Sequence, residues 1–210
     1  MHRYWQTSEV IAVMKKTCLF FIILLASCSS IHTGDLLFHV VEQGNAITDV
    51  TPGMIDHVAI VLSKDSVIEA VGAGVKTTPL DSLRQQEGYY IIGRVRHADP
   101  TRSVINACNY LGRPYDRFYL PDNEAIYCSE LVQFSIVDRH GNRLLQPVPM
   151  SFHDASGNIT PYWQQFYQLH NMGVPENKPG SNPGELSQRH EIRIIGRLKV
   201  RQNLTPNLLR

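Results

Sequence analysis

Apolar residues fall into short runs separated by polar, Gly- and Pro-rich stretches, with two spacings alternating along the chain. Strand-like runs come first. Leu36 to Val40 follows a Gly34-Asp35 turn, and Asp56-His57-Val58-Ala59-Ile60-Val61-Leu62 is apolar apart from its mouth. Val67 to Val71 reads as the hairpin partner of that second run across a turn at Lys64-Asp65. Tyr89 to Arg96 and Glu191 to Val200 are the remaining predicted strands. Helical spacing appears between them. Thr78-Pro79 reads as N-cap and first position of a short helix over 80–87. Asp99-Pro100 opens a helix that ends near Leu111, with Gly112 just beyond. A helix starting at Cys128 carries Leu131, Val132, Phe134, Ile136 and Val137 and runs toward Gly141. Thr160-Pro161 opens another over 162–172, with Trp163, Phe166, Tyr167 and His170 on its packing positions. Segments 42–55, 143–159 and 173–188 read as loops. Hairpin strands with flanking helices argue for an α+β fold with an antiparallel sheet, not a doubly wound one.

The N-terminus changes the picture. Met14-Lys15-Lys16 is a basic start, Cys18 to Leu25 an apolar run too short to span a bilayer, and Leu25-Ala26-Ser27-Cys28 resembles a bacterial lipobox. Residues 1–28 are therefore expected to be a signal peptide with its true start at Met14. Cys28 is the expected lipidation site, and the localisation expected is the bacterial cell envelope, membrane-anchored on a periplasmic or outer-membrane face. Residues 29–33 read as a tether, 34–200 as a single domain and 201–210 as a loose tail. The 210 residues carry a net charge of +1 and 19% charged residues, without a basic stripe, so nothing points to nucleic acid.

With Cys18 and Cys28 in the leader, the domain keeps Cys108 and Cys128. Export permits a disulfide between them. Cys108 lies on the apolar face Val104, Ala107, Cys108, Leu111 and reads as core. Cys128 differs, because it opens a helix. Unpaired N–H groups and the positive end of the macrodipole favour thiolate there, which makes a nucleophile.

A nucleophilic thiol needs a base, and the base needs an orienting group. His57 is the leading base, at the edge of an apolar strand. His39 on the first strand is the runner-up. Glu69, a carboxylate inside the second hairpin strand, is the natural orienter. A three-residue loop, 63–65, would set Glu69 opposite Ala59 and diagonal to His57, about 7 Å by backbone. A two-residue loop would turn Glu69 to the other face. Both registers are compatible with the sequence. No CxxC or HxxxH pair is present, so the sequence names no metal and no cofactor.

Five segments in order, Gly34-Asp35-x-x-Phe38, His57-Val-Ala-Ile-Val, Glu69-Ala70-Val71-Gly72, Tyr110-Leu-Gly-x-Pro114-Tyr115-Asp116 and Tyr127-Cys128-Ser129-Glu130, resemble the circularly permuted branch of the NlpC-type, papain-like cysteine peptidases and amidases, the YiiX/YaeF-like group. His before Cys is the permuted order. The resemblance covers residues 34 to about 200. It implies a papain-like core with Cys128 as nucleophile, His57 as base and Glu69 as third residue, acting on an amide of a peptide or cell-wall peptide. Some permuted relatives transfer lipid acyl groups, which makes an acyl-lipid substrate the alternative. A non-catalytic binding lipoprotein is the other rival. Tyr127 is expected to donate to the oxyanion or shape the pocket, Tyr115-Asp116 to be structural first, and loops 42–55 and 143–159 to wall the cleft.

Overall fold

Strands β1 (Leu36–Val40), β2 (Ile55–Ser63), β3 (Ser66–Val71), β4 (Gly74–Pro79), β5 (Tyr89–Val95) and β8 (Ile192–Arg197) form one sheet in the order β4-β3-β2-β1-β5-β8, every pair antiparallel. The computed structural model describes residues 30–121 and 123–198. The expected leader, with Cys28, and the 201–210 tail lie outside the described residues. Helices α1 (Leu80–Leu83), α2 (Pro100–Cys108), α3 (Cys128–Ser135), α4 (Pro161–Leu169) and α5 (Pro183–Gln188) flank the sheet, and a small ribbon pairs β6 (Val148–Pro149) with β7 (Pro179–Gly180).

Alternation along the strands divides the core. Leu36, Phe38, Val58, Ile60, Ile68 and Ala70 pack with Leu131, Val132 and Ile136 of the α3 region and with Ala107 of α2. Their neighbours Leu37, Ala59, Val61 and Val67 face the other way, onto Leu80 and Leu83 of α1. The architecture is thus the expected α+β arrangement, an antiparallel sheet packed against helices that include the one bearing Cys128. The buried Asp35 carboxylate receives two bonds from the Arg94 guanidinium, at 2.7 and 2.8 Å, and pins the start of β1 to β5. Ile31 packs against the outer cluster and Thr33 donates to the Leu62 carbonyl, so the chain is held to the sheet from Ile31 onward.

The hairpin that decides where Glu69 lies combines both expected forms. Ser63 pairs with Ser66 across the two-residue turn Lys64-Asp65, but Val61 pairs with Val67 and Ile60 with Ile68. Leu62 is therefore a bulge residue, and it restores the register that a three-residue loop would give. One step further, Glu69 lies opposite Ala59 and diagonal to His57.

Several boundaries differ from expectation. Gly72 begins a tight turn into β4, which the sequence hides behind its glycines, and Gly74 there has φ 98° with the Arg113 carbonyl 2.5 Å from where a Cβ would sit. Thr78 is consequently a strand residue, Pro79 is the N-cap, and α1 stops at Leu83. Helix α3 stops at Ser135 because Ile136 is extended, and Val137 bridges to Arg143 around a turn closed by Asp138. Helix α5 lies inside a stretch expected to be loop. Its Asn182 side chain caps the Glu185 N–H at 2.6 Å, with Pro183 at the first position. Cys108 and Cys128 are both free thiols, so the disulfide is absent.

Candidate active site

Cys128 is the first residue of α3 and only 4% exposed. Its N-cap, Tyr127, is extended and makes no side-chain cap bond, so the first-turn N–H groups receive no acceptor from it. The Cys128 sulfur lies close enough to the His57 ring to favour its protonated form. The ring's Nε2 lies 2.8 Å from Glu69 Oε2. The hairpin bulge thus brings together the three residues the sequence singled out.

A fourth residue joins them. Thr78 on β4 donates its hydroxyl to Glu69 Oε1 at 2.6 Å. Sequence reasoning placed Thr78 at a helix cap. Only the β3–β4 register, where Val67 faces Thr78 and Glu69 faces Lys76, brings it into reach. Both Glu69 oxygens are occupied and its side chain is 4% exposed, against 19% for His57.

Electrostatics follow from these contacts. Burial pulls the His57 ring toward its neutral form, but Cys128 and then Glu69, with their charges, outweigh it and push its pKa up to about 10. Burial also opposes charge on Glu69, yet the bonds from His57 and Thr78 hold its carboxyl below the ordinary value. The site therefore favours an imidazolium flanked by a carboxylate and the sulfur.

His39 is not an alternative base. It faces His57 across the β1–β2 pair, but its Nδ1 is 2.8 Å from Asp56 Oδ1 and its Nε2 is 2.7 Å from the Glu87 carbonyl. The bond with Asp56 raises its pKa. Asn45 donates to the second Asp56 oxygen, which ties the 42–55 loop to the strand.

Beside Cys128 lies a cavity of ≈ 40 Å³. Both expected loops wall it, through Ile47, Val50 and Thr51 on one side and Met150, Ser151 and Phe152 on the other. Trp163 of α4, expected simply to pack, does pack and also lines the cavity, donating from Nε1 to the Ala46 carbonyl at 3.0 Å. Ser181 and Asn182 line it as well, and no sequence motif flagged them. The Tyr127 hydroxyl accepts the Ser181 N–H at 3.1 Å and donates to Met150 Sδ at 3.7 Å. It is thereby part of the pocket wall. Asp116 is structural, as expected. Its carboxylate receives the N–H groups of Phe118 and Leu120 and the Asn123 amide, and it shapes the loop carrying Tyr119 at φ 52°. Tyr115 and Tyr119 line the cavity, and burial keeps both protonated.

A helix-borne thiol, a strand-borne histidine and a carboxylate that fixes the ring define the thiol-hydrolase class of site within an α+β fold. Residues 30–159 match the model of the permuted papain-like amidase enzymes, YaeF/YiiX, C92 family, and the chain belongs to that family. It is 32% identical over 111 residues to YiiX of Escherichia coli strain K12, an uncharacterised protein. That similarity covers 48% of this chain and 54% of YiiX, so the chain spans about half the length of this relative. It is also similar to a crystal structure of the metalloprotein YiiX from Escherichia coli O157:H7, with TM-score 0.64 and 22% identity over 80% of this chain and 98% of that one. Among the described residues here, no group of three or more His, Cys, Asp or Glu side chains is arranged to hold a metal ion. No helix among the described residues is long and apolar enough to cross a membrane.

Proposed function

We propose that this chain is a cysteine hydrolase of the NlpC-type grouping that cleaves an amide of a peptide or cell-wall peptide through a thioester on Cys128. The observation that carries this reading is the series His57–Glu69–Thr78 behind Cys128, with Cys128 itself at the wall of a cavity. Cys128 and His57 form a thiolate–imidazolium pair, with Glu69 holding the ring. The sulfur attacks the carbonyl carbon, the carbonyl electron pair moves to oxygen, and the Cys128 backbone N–H stabilises that oxyanion. His57 gives its proton to the leaving amine as the C–N bond breaks. Water, deprotonated by His57, then cleaves the thioester. The lipobox-like segment ending at Cys28 supports export and lipid anchoring in the cell envelope, where cell-wall peptides and membrane lipids would be the substrates at hand.

The lining favours a second substrate class for the same chemistry. Ile47, Val50, Met150, Phe152 and Trp163 present an apolar wall beside the thiol, suited to an acyl chain. In that reading an ester of a lipid forms the thioester, and water or an acceptor nucleophile resolves it.

The test is iodoacetamide labelling of the full chain in detergent from pH 5 to 9, with His57→Ala and Cys128→Ala beside the wild type. Rapid labelling of Cys128 at pH 6 that slows sharply without His57 establishes the pair. Unchanged labelling in His57→Ala refutes it and leaves a binding lipoprotein as the better reading.

A further inference from the structure

The two residues that flank Cys128 in sequence both grip one distant residue. The Tyr127 hydroxyl accepts the Ser181 N–H at 3.1 Å, and the Ser129 hydroxyl donates to the Ser181 carbonyl at 3.1 Å. The backbone of Ser181 is therefore fixed on both sides by the N-terminal end of α3. Its side chain is not fixed. Ser181 is 2% exposed, and its Oγ is buried without an aligned hydrogen-bond partner, although it lies close to the Tyr127 hydroxyl. A buried hydroxyl left in this state costs stability. Such groups persist where something outside the protein completes them. Ser181 lines the same cavity as Cys128, which makes a molecule bound there a candidate partner for its hydroxyl.

The neighbouring features favour a negatively charged oxygen. The first-turn N–H groups of α3 lack a cap from Tyr127, and the positive end of the helix dipole lies at Cys128. Glycine precedes the serine for a visible reason. A Cβ on Gly180 would fall 2.5 Å from Met150 Sδ and 2.7 Å from the Tyr127 hydroxyl oxygen, so a larger residue there would have to displace these cavity-lining side chains. The segment lies beyond residues 30–159 that match the family.

Resting on the thiol-hydrolase reading, we propose that Ser181 is a catalytic residue whose Oγ–H donates to the substrate carbonyl oxygen as it becomes an oxyanion, beside the Cys128 backbone N–H. No proton is transferred from the serine. The S–C bond forms, the carbonyl π pair moves to oxygen, and the Ser181 hydrogen bond strengthens as that charge grows. When the tetrahedral species collapses, the pair returns to carbon and the leaving group takes its proton from His57.

Two reactions of the full chain separate this role from thiol activation. Alkylation of Cys128 by iodoacetamide is a displacement that forms no oxyanion, whereas acylation by p-nitrophenyl acetate must pass through one. In Ser181→Ala, alkylation across pH 5 to 9 should stay within about twofold of wild type, which also reports an intact site. Acylation should fall on the order of 100-fold, as for loss of one oxyanion donor. Unchanged acylation overturns the assignment. A parallel fall in both reactions overturns it too, since Ser181 would then be a clamp for α3. A wild-type protein that is alkylated in a His57-dependent way yet not acylated removes the hydrolase reading itself, and this assignment with it.

Discussion

Thr78 donates its hydroxyl to Glu69 Oε1 at 2.6 Å, and this contact sets which Glu69 oxygen remains for His57. A bond to a charged acceptor is worth about 1.5–3 kcal/mol. Thr78→Val keeps the shape of the β-branched side chain and removes only the donor. We expect kcat/KM for p-nitrophenyl acetate to fall on the order of 10-fold in Thr78→Val, and Thr78→Ser to restore most of it. Equal rates in Thr78→Val and wild type would show that Glu69 needs no such anchor.

The His57 pKa, raised to about 10, makes a stability prediction with a definite sign. A ring whose pKa is higher in the folded state stabilises that state while protonated. That contribution is complete below the ordinary ring value of 6.5 and is lost as pH rises through about 10. Glu69 works in the opposite direction. Its lowered carboxyl contributes above the ordinary value and loses that contribution as pH falls. The gap in Tm between wild type and His57→Gln that this ring contributes should be greatest below the ordinary value of 6.5 and should shrink steadily from there toward pH 10. Thermal unfolding followed by circular dichroism reads it, and a gap that stays constant to pH 10 contradicts the assignment.

Several of these relationships could be read before any coordinates, and others could not. His57 and Glu69 stand out because polar groups inside apolar strands need a reason, and Cys128 because it opens a helix. Whether Glu69 reaches His57 depended on one bulge at Leu62, and a bulge leaves no mark in a hydrophobic pattern. Thr78 was hidden by a rival signal, since Thr followed by Pro reads equally well as a helix cap. The opposite happened at α5. Asn182, Pro183 and Glu185 are a legible helix start, masked by the density of Gly and Pro around them. Ile136 and Val137 fit a longer α3 by spacing, but tertiary pairing with the 143–144 segment draws them into extended backbone. Ser181 carries no sequence signal at all. Its position follows from contacts made 54 and 52 residues away, at Tyr127 and Ser129.

Asp116 tests whether the Tyr119 loop depends on a single carboxylate. Three donors converge on it, from Phe118, Leu120 and Asn123, and the residue is 2% exposed. Asp116→Ala strands those donors, each orphaned buried group costing about 1–3 kcal/mol before the loop relaxes. We expect a loss on the order of 3 kcal/mol in urea unfolding, with less than half of that in Asp116→Asn, which keeps one acceptor. A change in Asp116→Ala below about 0.5 kcal/mol would show that the loop holds its shape by other means.

Gly184 in the first turn of α5 sets how closely that helix approaches the cavity wall. A Cβ there would lie 2.3 Å from the Pro52 carbonyl oxygen and 3.0 Å from Thr51 Oγ1. The carbonyl belongs to the backbone and cannot rotate aside as a side-chain tip would. Two effects oppose each other in Gly184→Ala. Helix propensity favours alanine by about 1 kcal/mol, while overpacking against a fixed group costs about 1–3 kcal/mol. The contact is short enough for the second to win, so Tm should fall. Because Thr51 lines the cavity, the 42–55 loop should shift outward with it. KM for p-nitrophenyl acetate should then rise several-fold, while iodoacetamide alkylation of Cys128 stays unchanged, since the added methyl meets Pro52 and Thr51 and neither Cys128 nor His57 is among its nearest neighbours. A rise in Tm would mean that propensity prevails and that α5 stands farther from Pro52 than this packing requires.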